Sequence, residues 1–508
     1  MKLAAVAFAS ALGALAQPGA FREITVAALR DKIAGGWAGQ MIGVSFGAPT
    51  EFRALGRIIE EELPAWKPER VRNALDQDDL YVDMTLARVL DEKGLDAATE
   101  DFAEAFRQTR YRLWHANLAA RRNLRRGLPA ALAGHPRYNA HAHDIDFQIE
   151  ADFIGLMAPG LFRQANRIAE RAGRVMNYGD GIYGGMFVSG MYAAAFFERD
   201  PRRIVETGLA CIPPRSSYAR LIADVLAWHK LYPQDWKKVW RLIEEKWNVN
   251  DPCPAGALRP FNIDARLNGA YIALGLLYGG SDFGRTIEIS TRAGQDSDCN
   301  PASAGGILGV VLGYEGIPQA WKSGIPPIAR EKFRYTDYSF ESIVESTLRR
   351  AIALIERSGG KRQGDRLWVR IEKPQPPRLE RWDYGIVAER IPADDARWNF
   401  RGVWRTEKDQ RLASEKGAEA SIRFRGTGAI VVGPYLAHGG KADVYLDGKL
   451  DRTVDVCSDE DASKRDEAVW HVYGLKSGEH EIRLVLRGEP YQECRGTEVG
   501  VSALVVFR

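Results

Sequence analysis

Ala293-Gly294-Gln295-Asp296-Ser297-Asp298-Cys299-Asn300-Pro301, running directly into Ala302-Ser303-Ala304-Gly305-Gly306-Ile307-Leu308-Gly309-Val310-Val311-Leu312-Gly313, decides the fold of this chain. Two carboxylates one residue apart sit on a short loop ahead of a helix. Asn300 suits the N-cap and Pro301 the first helical position, and the small residues beyond would let the helix approach a neighbour backbone to backbone. Two aspartates in a rigid, deep loop are costly unless a cation neutralises them, so the loop reads as an oxygen-ligand metal site.

The neighbour should lie near the other end of the chain. From Ile24 a helical pattern leads into Gly35, Gly39, Gly43 and Gly47, spaced by four and therefore on one face. Each glycine weakens a helix by about 1 kcal/mol relative to alanine, which calls for a packing reason such as a second backbone pressed close. The helix should stop at Ala48-Pro49, leaving Thr50-Glu51-Phe52 just beyond its end.

A second acidic segment, Asp76-Gln77-Asp78-Asp79-Leu80-Tyr81-Val82-Asp83, opens another helix. Negative charge there suits the helix dipole, and that accounts for Asp76. Asp79 and Asp83 share a face with core residues, which points to a site. Asp146 and Glu150, one turn apart among apolar residues, are candidates for contacting a polar ligand. Asp152 follows them, and Asn177-Tyr178-Gly179-Asp180 forms a further polar loop before an alanine-rich helix. The arginines between Phe102 and Arg126 are spread round a helical pattern, so a solvated face is favoured over a phosphate patch. His141-Ala142-His143 would suit zinc, but no cysteine or histidine motif surrounds it in sequence.

At 508 residues two domains are expected. Lys plus Arg number 70 and Asp plus Glu 67, a net charge of +3, so no bulk attraction to nucleic acid is expected. Residues 1–16 read as a signal peptide cleaved near Ala16, implying an exported (periplasmic or secreted) protein with no membrane span. Residues 17–370 read as helical and residues 371–380 as a proline-rich linker. Short alternating runs over residues 381–508 read as an all-β sandwich of jelly-roll type, a candidate carbohydrate binder. Five cysteines leave an odd one: Cys457 with Cys494 and Cys211 with Cys253 are candidate pairs, and Cys299 is left over.

Phe46-Gly47-Ala48-Pro49-Thr50-Glu51, Gln77-Asp78-Asp79-Leu80 and Gly294-Gln295-Asp296-Ser297-Asp298-Cys299 together resemble the marks of the ADP-ribosylglycohydrolase family. The resemblance covers roughly residues 24–355 and none of the β region. It implies an all-helical catalytic domain with a magnesium centre, of one or two ions, manganese being the alternative. Asp78, Asp79, Asp296 and Asp298 would be ligands, and Glu51, with Asp296, would serve the chemistry by positioning or activating water. Two hydroxyl ligands of the family are replaced: Gln77, which still offers a carbonyl oxygen, precedes the aspartate pair, and Cys299, a poor magnesium ligand, follows Asp298.

These readings converge on a divalent-metal-dependent hydrolase of a glycosidic bond. Its substrate would be a small molecule or oligosaccharide contacted by Asp83, Asp146, Glu150, Asp152, Asn177, Tyr178, Asp180 and Cys299. Hydrolysis of an ADP-ribosyl conjugate is the alternative, and it requires the arginine helix to reach a pyrophosphate. A non-catalytic, metal-dependent sugar-binding protein is the third.

Overall fold

The computed structural model describes residues 20–460, 462–492 and 494–508, so the leader reading at residues 1–16 lies outside the described residues. A helical domain is followed by a β-sandwich. The glycine-spaced helix spans Val26–Gly47, and the helix after the acidic loop spans Cys299–Leu312. These two lie against each other along their whole length. A Cβ added at Gly35, Gly39, Gly43 or Gly47 would stand 2.2, 2.1, 2.1 and 2.0 Å from the carbonyl oxygens of Gly309, Gly305, Pro301 and Ser297. The four-residue spacing is thus a backbone-to-backbone seam, and its last contact falls on the acidic loop.

Two boundaries differ from the sequence reading. Ile24 belongs to a strand, Phe21–Thr25, which pairs antiparallel with Arg366–Arg370, itself paired with Lys361–Gln363. The first helix begins only after Thr25, whose hydroxyl accepts from the Ala28 N–H at 3.1 Å. The later helix starts at Cys299 rather than after an Asn300 cap, because the Asn300 N–H already reaches the Asp296 carbonyl at 3.3 Å. The Asn300 side chain is drawn inward and donates to Asn268 Oδ1 at 2.9 Å.

The arginine-rich stretch is two helices, Thr99–Arg107 and His115–Arg125; Arg107, Arg110 and Arg112 are solvated as expected, whereas the arginines of the second helix are not. The second helix docks on the sandwich. Arg121 pairs with Glu460 at 2.6 Å, and Arg126 pairs with Asp455 at 2.6 Å and Asp459 at 2.8 Å. Arg122 donates to the Asp455 carbonyl at 2.9 Å and lies 3.7 Å over the Tyr435 ring. Planar guanidinium groups suit such contacts because they stack and form paired hydrogen bonds at once.

The sandwich sets a five-stranded sheet, ordered Lys449–Asp455, Gly440–Leu446, Gly478–Pro490, Glu419–Gly426 and Asn399–Arg401, against a four-stranded one. The second is ordered Lys464–Val472, Gly428–Tyr435, Ala503–Phe507 and Val387–Pro392. Gly428–Tyr435 is buried throughout, unlike the alternating Glu419–Gly426. Val431 faces the sandwich core, while Ile430 and Val432 share a cluster with Ala140 and Ala257 of the helical domain. A strand covered on both faces reads as a continuous apolar run.

Cys457 and Cys494 form a disulfide. Cys211 and Cys253 do not pair; both are buried free thiols, as is Cys299. Cys211 sits against Gly190 and Thr207, whereas Cys253 faces His141 and Asp144. Among the described residues no helix is long and apolar enough to cross a membrane.

Candidate active site

The seam delivers the acidic loop to a fixed place, and a second latch ties it to Glu51. Thr50 and Ser297 share a hydroxyl hydrogen bond of 2.8 Å, the Phe52 N–H donates to the Gln295 carbonyl at 3.1 Å, and the Gln295 N–H to the Ala54 carbonyl at 2.9 Å. Gln295 adopts φ +54°, a left-handed conformation unusual for a side-chain-bearing residue. Its amide explains the constraint: Oε1 accepts from the Asn262 N–H at 3.0 Å and Nε2 donates to the Pro260 carbonyl at 2.9 Å.

Carboxylates from three separate segments meet here. Glu51, Asp296 and Asp298 bring one oxygen each within 4.8 Å of one another, and Asp79, Asp298 and Cys299 form an adjoining group of the same size. Asp298 belongs to both. The Cys299 thiol lies 3.4 Å from Asp79 Oδ2 and 3.7 Å from Asp298 Oδ1. Burial and the nearby aspartates hold that thiol well above its usual pKa, so it meets the carboxylates as a neutral donor.

The electrostatics are those of negative charge crowded out of water. Burial, then Asp298 and Asp78, raise Glu51 to about 8. Burial and Asp298 raise Asp78 to about 6, and the same causes hold Asp79 well above the carboxylate range. Burial, Asp298 and Glu51 do so for Asp296. Oδ1 of Asp79 and Oδ1 of Asp296 are buried without a hydrogen-bond partner. Unpaired buried oxygens in an all-carboxylate cluster fit a hard divalent cation, which takes oxygen ligands. The Asp79 side of the cluster, with its thiol, fits less well.

Glu51, Asp78, Asp296 and Cys299 floor a pocket of about 660 Å³, with Asp79 and Asp298 buried outside its lining. Asp78, Gln77, Asp146, Asp296 and Cys299 line it, with Phe52, Tyr81, Trp114 and Phe261 as apolar wall. Trp114 is 42% exposed, and the Phe52 and Phe261 rings stand 5.1 Å apart. Gln77 donates through Nε2 to Asn73 Oδ1 at 2.8 Å.

The other residues singled out in the sequence fall into three places. Asp146 lines the pocket while accepting from the Ala116 and Asn117 N–H groups at 3.2 and 2.9 Å, which fixes the start of the arginine helix. Glu150 lies deeper, bonded to the Asn117 amide, and Asp83 and Asp152 lie behind the cluster. Asp83 accepts from Gln40 at 3.2 Å, and Asp152 from Tyr192 at 2.7 Å and Ser303 at 3.4 Å. Burial raises Asp152 to about 8, so these two read as protonated or hydrogen-bonded supports. Tyr178 and Asp180 line a different cavity of about 430 Å³ beside the linker, with Trp382 and Tyr384. Asn177 is a backbone tie, donating to the Ala142 and Asp144 carbonyls at 3.1 and 2.8 Å. The structure does not bring these last three to the acidic pocket.

Two contributors were not singled out from the sequence. The segment between the helices Trp236–Trp247 and Ala265–Gly279 supplies Ala255, Arg259, Pro260, Phe261 and Ile263 to the wall. The sandwich supplies Arg465 and Asp466, because strand Lys464–Val472 shifts register against Gly428–Tyr435 between Lys464 and Glu467 and turns both residues into the pocket. The pocket cations are already paired: Arg259 with Asp466 at 3.0 Å, and Arg465 with Asp409.

The family model described as ADP-ribosylglycohydrolase matches residues 25–362. A curated relative, the A type blood alpha-D-galactosamine galactosaminidase of Flavonifractor plautii, is 30% identical over 106 residues, which cover 20% of this chain and 10% of that protein. The match therefore spans about a tenth of that relative's length. Among solved structures, an ADP-ribosylglycohydrolase-related protein complex is 17% identical, covering 64% of this chain and 98% of that one at a TM-score of 0.42. A carbohydrate-binding module in complex with calcium and xylotriose is 10% identical, covering 23% of this chain and 98% of that one at a TM-score of 0.18.

Proposed function

Since this chain belongs to the ADP-ribosylglycohydrolase family, we propose that it is a divalent-metal-dependent glycosyl hydrolase acting on a neutral, hydroxyl-rich glycoside or glycan outside the cytoplasm. Asp78, Asp79, Asp296 and Asp298 would hold magnesium or manganese, with Gln77 at the edge of the set. A cation bound there supplies charge neutralisation and a grip on vicinal sugar hydroxyls. Burial and the uncompensated carboxylates raise Glu51 to about 8. A cation that neutralises them would leave it ionised, so that it takes the proton from the attacking water as the bond from the anomeric carbon to the leaving oxygen breaks. That oxygen departs as the alcohol with a proton from solvent. Asp296, within reach of Glu51, holds that water's second hydrogen or a substrate hydroxyl. Trp114, Phe52 and Phe261 give the apolar faces on which a sugar ring stacks, and Asp146 accepts from an outer hydroxyl.

The observation that carries this reading is the sign of the pocket. Its floor is acidic, and its two arginines are occupied by Asp466 and Asp409. A pyrophosphate needs cations, and Arg121, Arg122 and Arg126 are bound to the sandwich. The galactosaminidase name of the curated relative leans toward a sugar substrate as well. Export rests on the leader-like residues 1–16.

The test is turnover of a panel of aryl glycosides, oligosaccharides and ADP-ribosyl conjugates with added Mg²⁺ or Mn²⁺. Glycoside cleavage that is abolished by EDTA and by Asp298→Ala is expected. Cleavage of ADP-ribosyl conjugates alone would overturn the substrate assignment, and activity surviving both EDTA and the substitution would overturn the metal.

A further inference from the structure

In sequence no third ligand joins His141 and His143, yet in the fold His115 and Cys253 arrive from two other points of the chain to meet His141 and the adjacent Asp144. His115, His141, Asp144 and Cys253 each bring one donor atom within 4.8 Å of the others. Asp144 Oδ2 is 2.8 Å from His141 Nδ1 and 3.5 Å from His115 Nδ1. Cys253 Sγ is 3.4 Å from that oxygen and 3.6 Å from His141 Nδ1. We propose that these four residues form a structural zinc site, separate from the acidic centre, that fastens the 248–264 segment and the β-sandwich to the helical domain.

Donor chemistry and spacing both point to zinc. Two imidazoles, one thiolate and one carboxylate make a soft, mixed set that magnesium and calcium do not choose. Tetrahedral ligands at bond lengths of about 2.0–2.3 Å stand roughly 3.3–3.8 Å apart, which three of the four contacts already match. The His141–Asp144 contact at 2.8 Å is a hydrogen bond that opens as the ion enters. A Cys-His-Asp nucleophile is the wrong reading of this geometry. Cys253 on His141 Nδ1 and Glu467 on Nε2 do address opposite ring nitrogens, but Cys253 is fully buried and does not line the acidic pocket, so no substrate reaches its thiol.

Charge and surroundings agree. Asp144 is fully buried, and its ion-pair partners among the described residues are histidines. A divalent ion with one thiolate and one carboxylate is neutral overall. His115 Nδ1 is buried with no hydrogen-bond partner, and His115 holds φ +42° at the head of its helix, which aims the ring at the group. Around the group, Glu467 of the sandwich lies 3.3 Å from His141 Nε2 and His143 lies 3.2 Å from Asp144 Oδ1, both charge contacts without hydrogen-bond geometry, while His143 bonds to Asp251 at 3.3 Å.

Such an ion would hold Cys253 and the chain that follows it, which forms the Phe261 wall of the acidic pocket. It would also tie strand Lys464–Val472 in place through Glu467. Binding releases to solvent the Cys253 thiol proton and the proton that His141 Nδ1 shares with Asp144 Oδ2, freeing both donors for the ion.

Metal analysis of the full-length protein, loaded with zinc and desalted, tests the proposal. One tightly held zinc per chain is expected, retained in Asp298→Asn and lost in Cys253→Ser and in His115→Ala. Cobalt loading should give a thiolate-to-metal charge-transfer band that Cys253→Ser removes. His115→Ala changes a residue at the pocket edge and serves if Cys253→Ser does not fold. Zinc absent from the loaded wild type, retained in both site variants, or lost from Asp298→Asn would overturn the assignment in favour of a metal-free hydrogen-bonded cluster.

Discussion

Replacing Gly39 by alanine tests whether the seam between Val26–Gly47 and Cys299–Leu312 governs both stability and the site. The added methyl would stand 2.1 Å from the Gly305 oxygen and 2.6 Å from its carbonyl carbon. Ordinary contact begins near 3.4 Å, so the helices must part by roughly 1 Å at their midpoint. Both contacts are backbone, so no side chain can rotate away. Overpacking of this kind costs about 1–3 kcal/mol or more, and the higher helix propensity of alanine returns about 1 kcal/mol. Because the rigid backbone on both sides puts the cost at the upper end of that range, a net loss of about 2 kcal/mol is expected, read as a fall of a few degrees in the thermal midpoint. Gly47→Ala strikes the other end of the seam, where the methyl would stand 2.0 Å from the Ser297 oxygen and 2.5 Å from Asp298 Cα. There the acidic loop itself must move, so affinity for the activating metal should fall at least tenfold while the midpoint changes less. Isothermal titration with Mg²⁺ or Mn²⁺ separates the two effects. If Gly39→Ala melts with the wild type, or Gly47→Ala keeps its metal affinity, the seam does not position the site.

The remaining predictions concern charge and closure. Glu51, Asp78, Asp79 and Asp296 have raised folded-state pKa values, so the native state keeps protons that the unfolded chain releases near pH 4. Metal-free protein should therefore lose stability as pH rises from about 4 through 8, by up to about 1.4 kcal/mol per unit for each of the buried groups Asp79 and Asp296 and by less for the exposed Glu51, whose charge water screens. Thermal melts in EDTA check this, and added Mg²⁺ should flatten the profile; a flat profile without metal would refute the crowding. Arg126→Ala leaves Asp455 and Asp459 without their main partner at the domain junction and should cost about 3 kcal/mol, seen as faster proteolysis of the linker. Reducing Cys457–Cys494, which closes a loop across 37 positions, should lower sandwich stability by up to about 4 kcal/mol, measured by melting with and without dithiothreitol.

The parts of the fold legible in sequence were those written in local spacing. The four-residue glycine period announced a close backbone, and alternation with turn residues announced the strands after residue 380. The acidic pairs at Asp78-Asp79 and Asp296-Ser297-Asp298 were legible because carboxylates so placed need a reason. What failed depended on distant partners. The arginines of His115–Arg125 looked solvated because the carboxylates that bury them, Asp455, Asp459 and Glu460, lie more than 300 residues away. Tyr178 and Asp180 follow a glycine-loosened polar pattern like that of the acidic loop, yet their helix faces the linker. Cys253 looked like half of a disulfide, since nothing local reveals that His141 and Asp144 face it. A register shift such as that between Lys464 and Glu467 leaves no composition signal at all.

That shift makes the acidic hollow a joint property of the helical domain and the sandwich. Cut at the proline-rich linker, the helical module would keep every acidic ligand, but the wall bearing Arg465 and Asp466 would be gone. The groove would open into a shelf, and Ala140 and Ala257 would be bared to water. Replacing the sandwich would then alter which molecules the hollow admits without touching a single residue of the acidic floor.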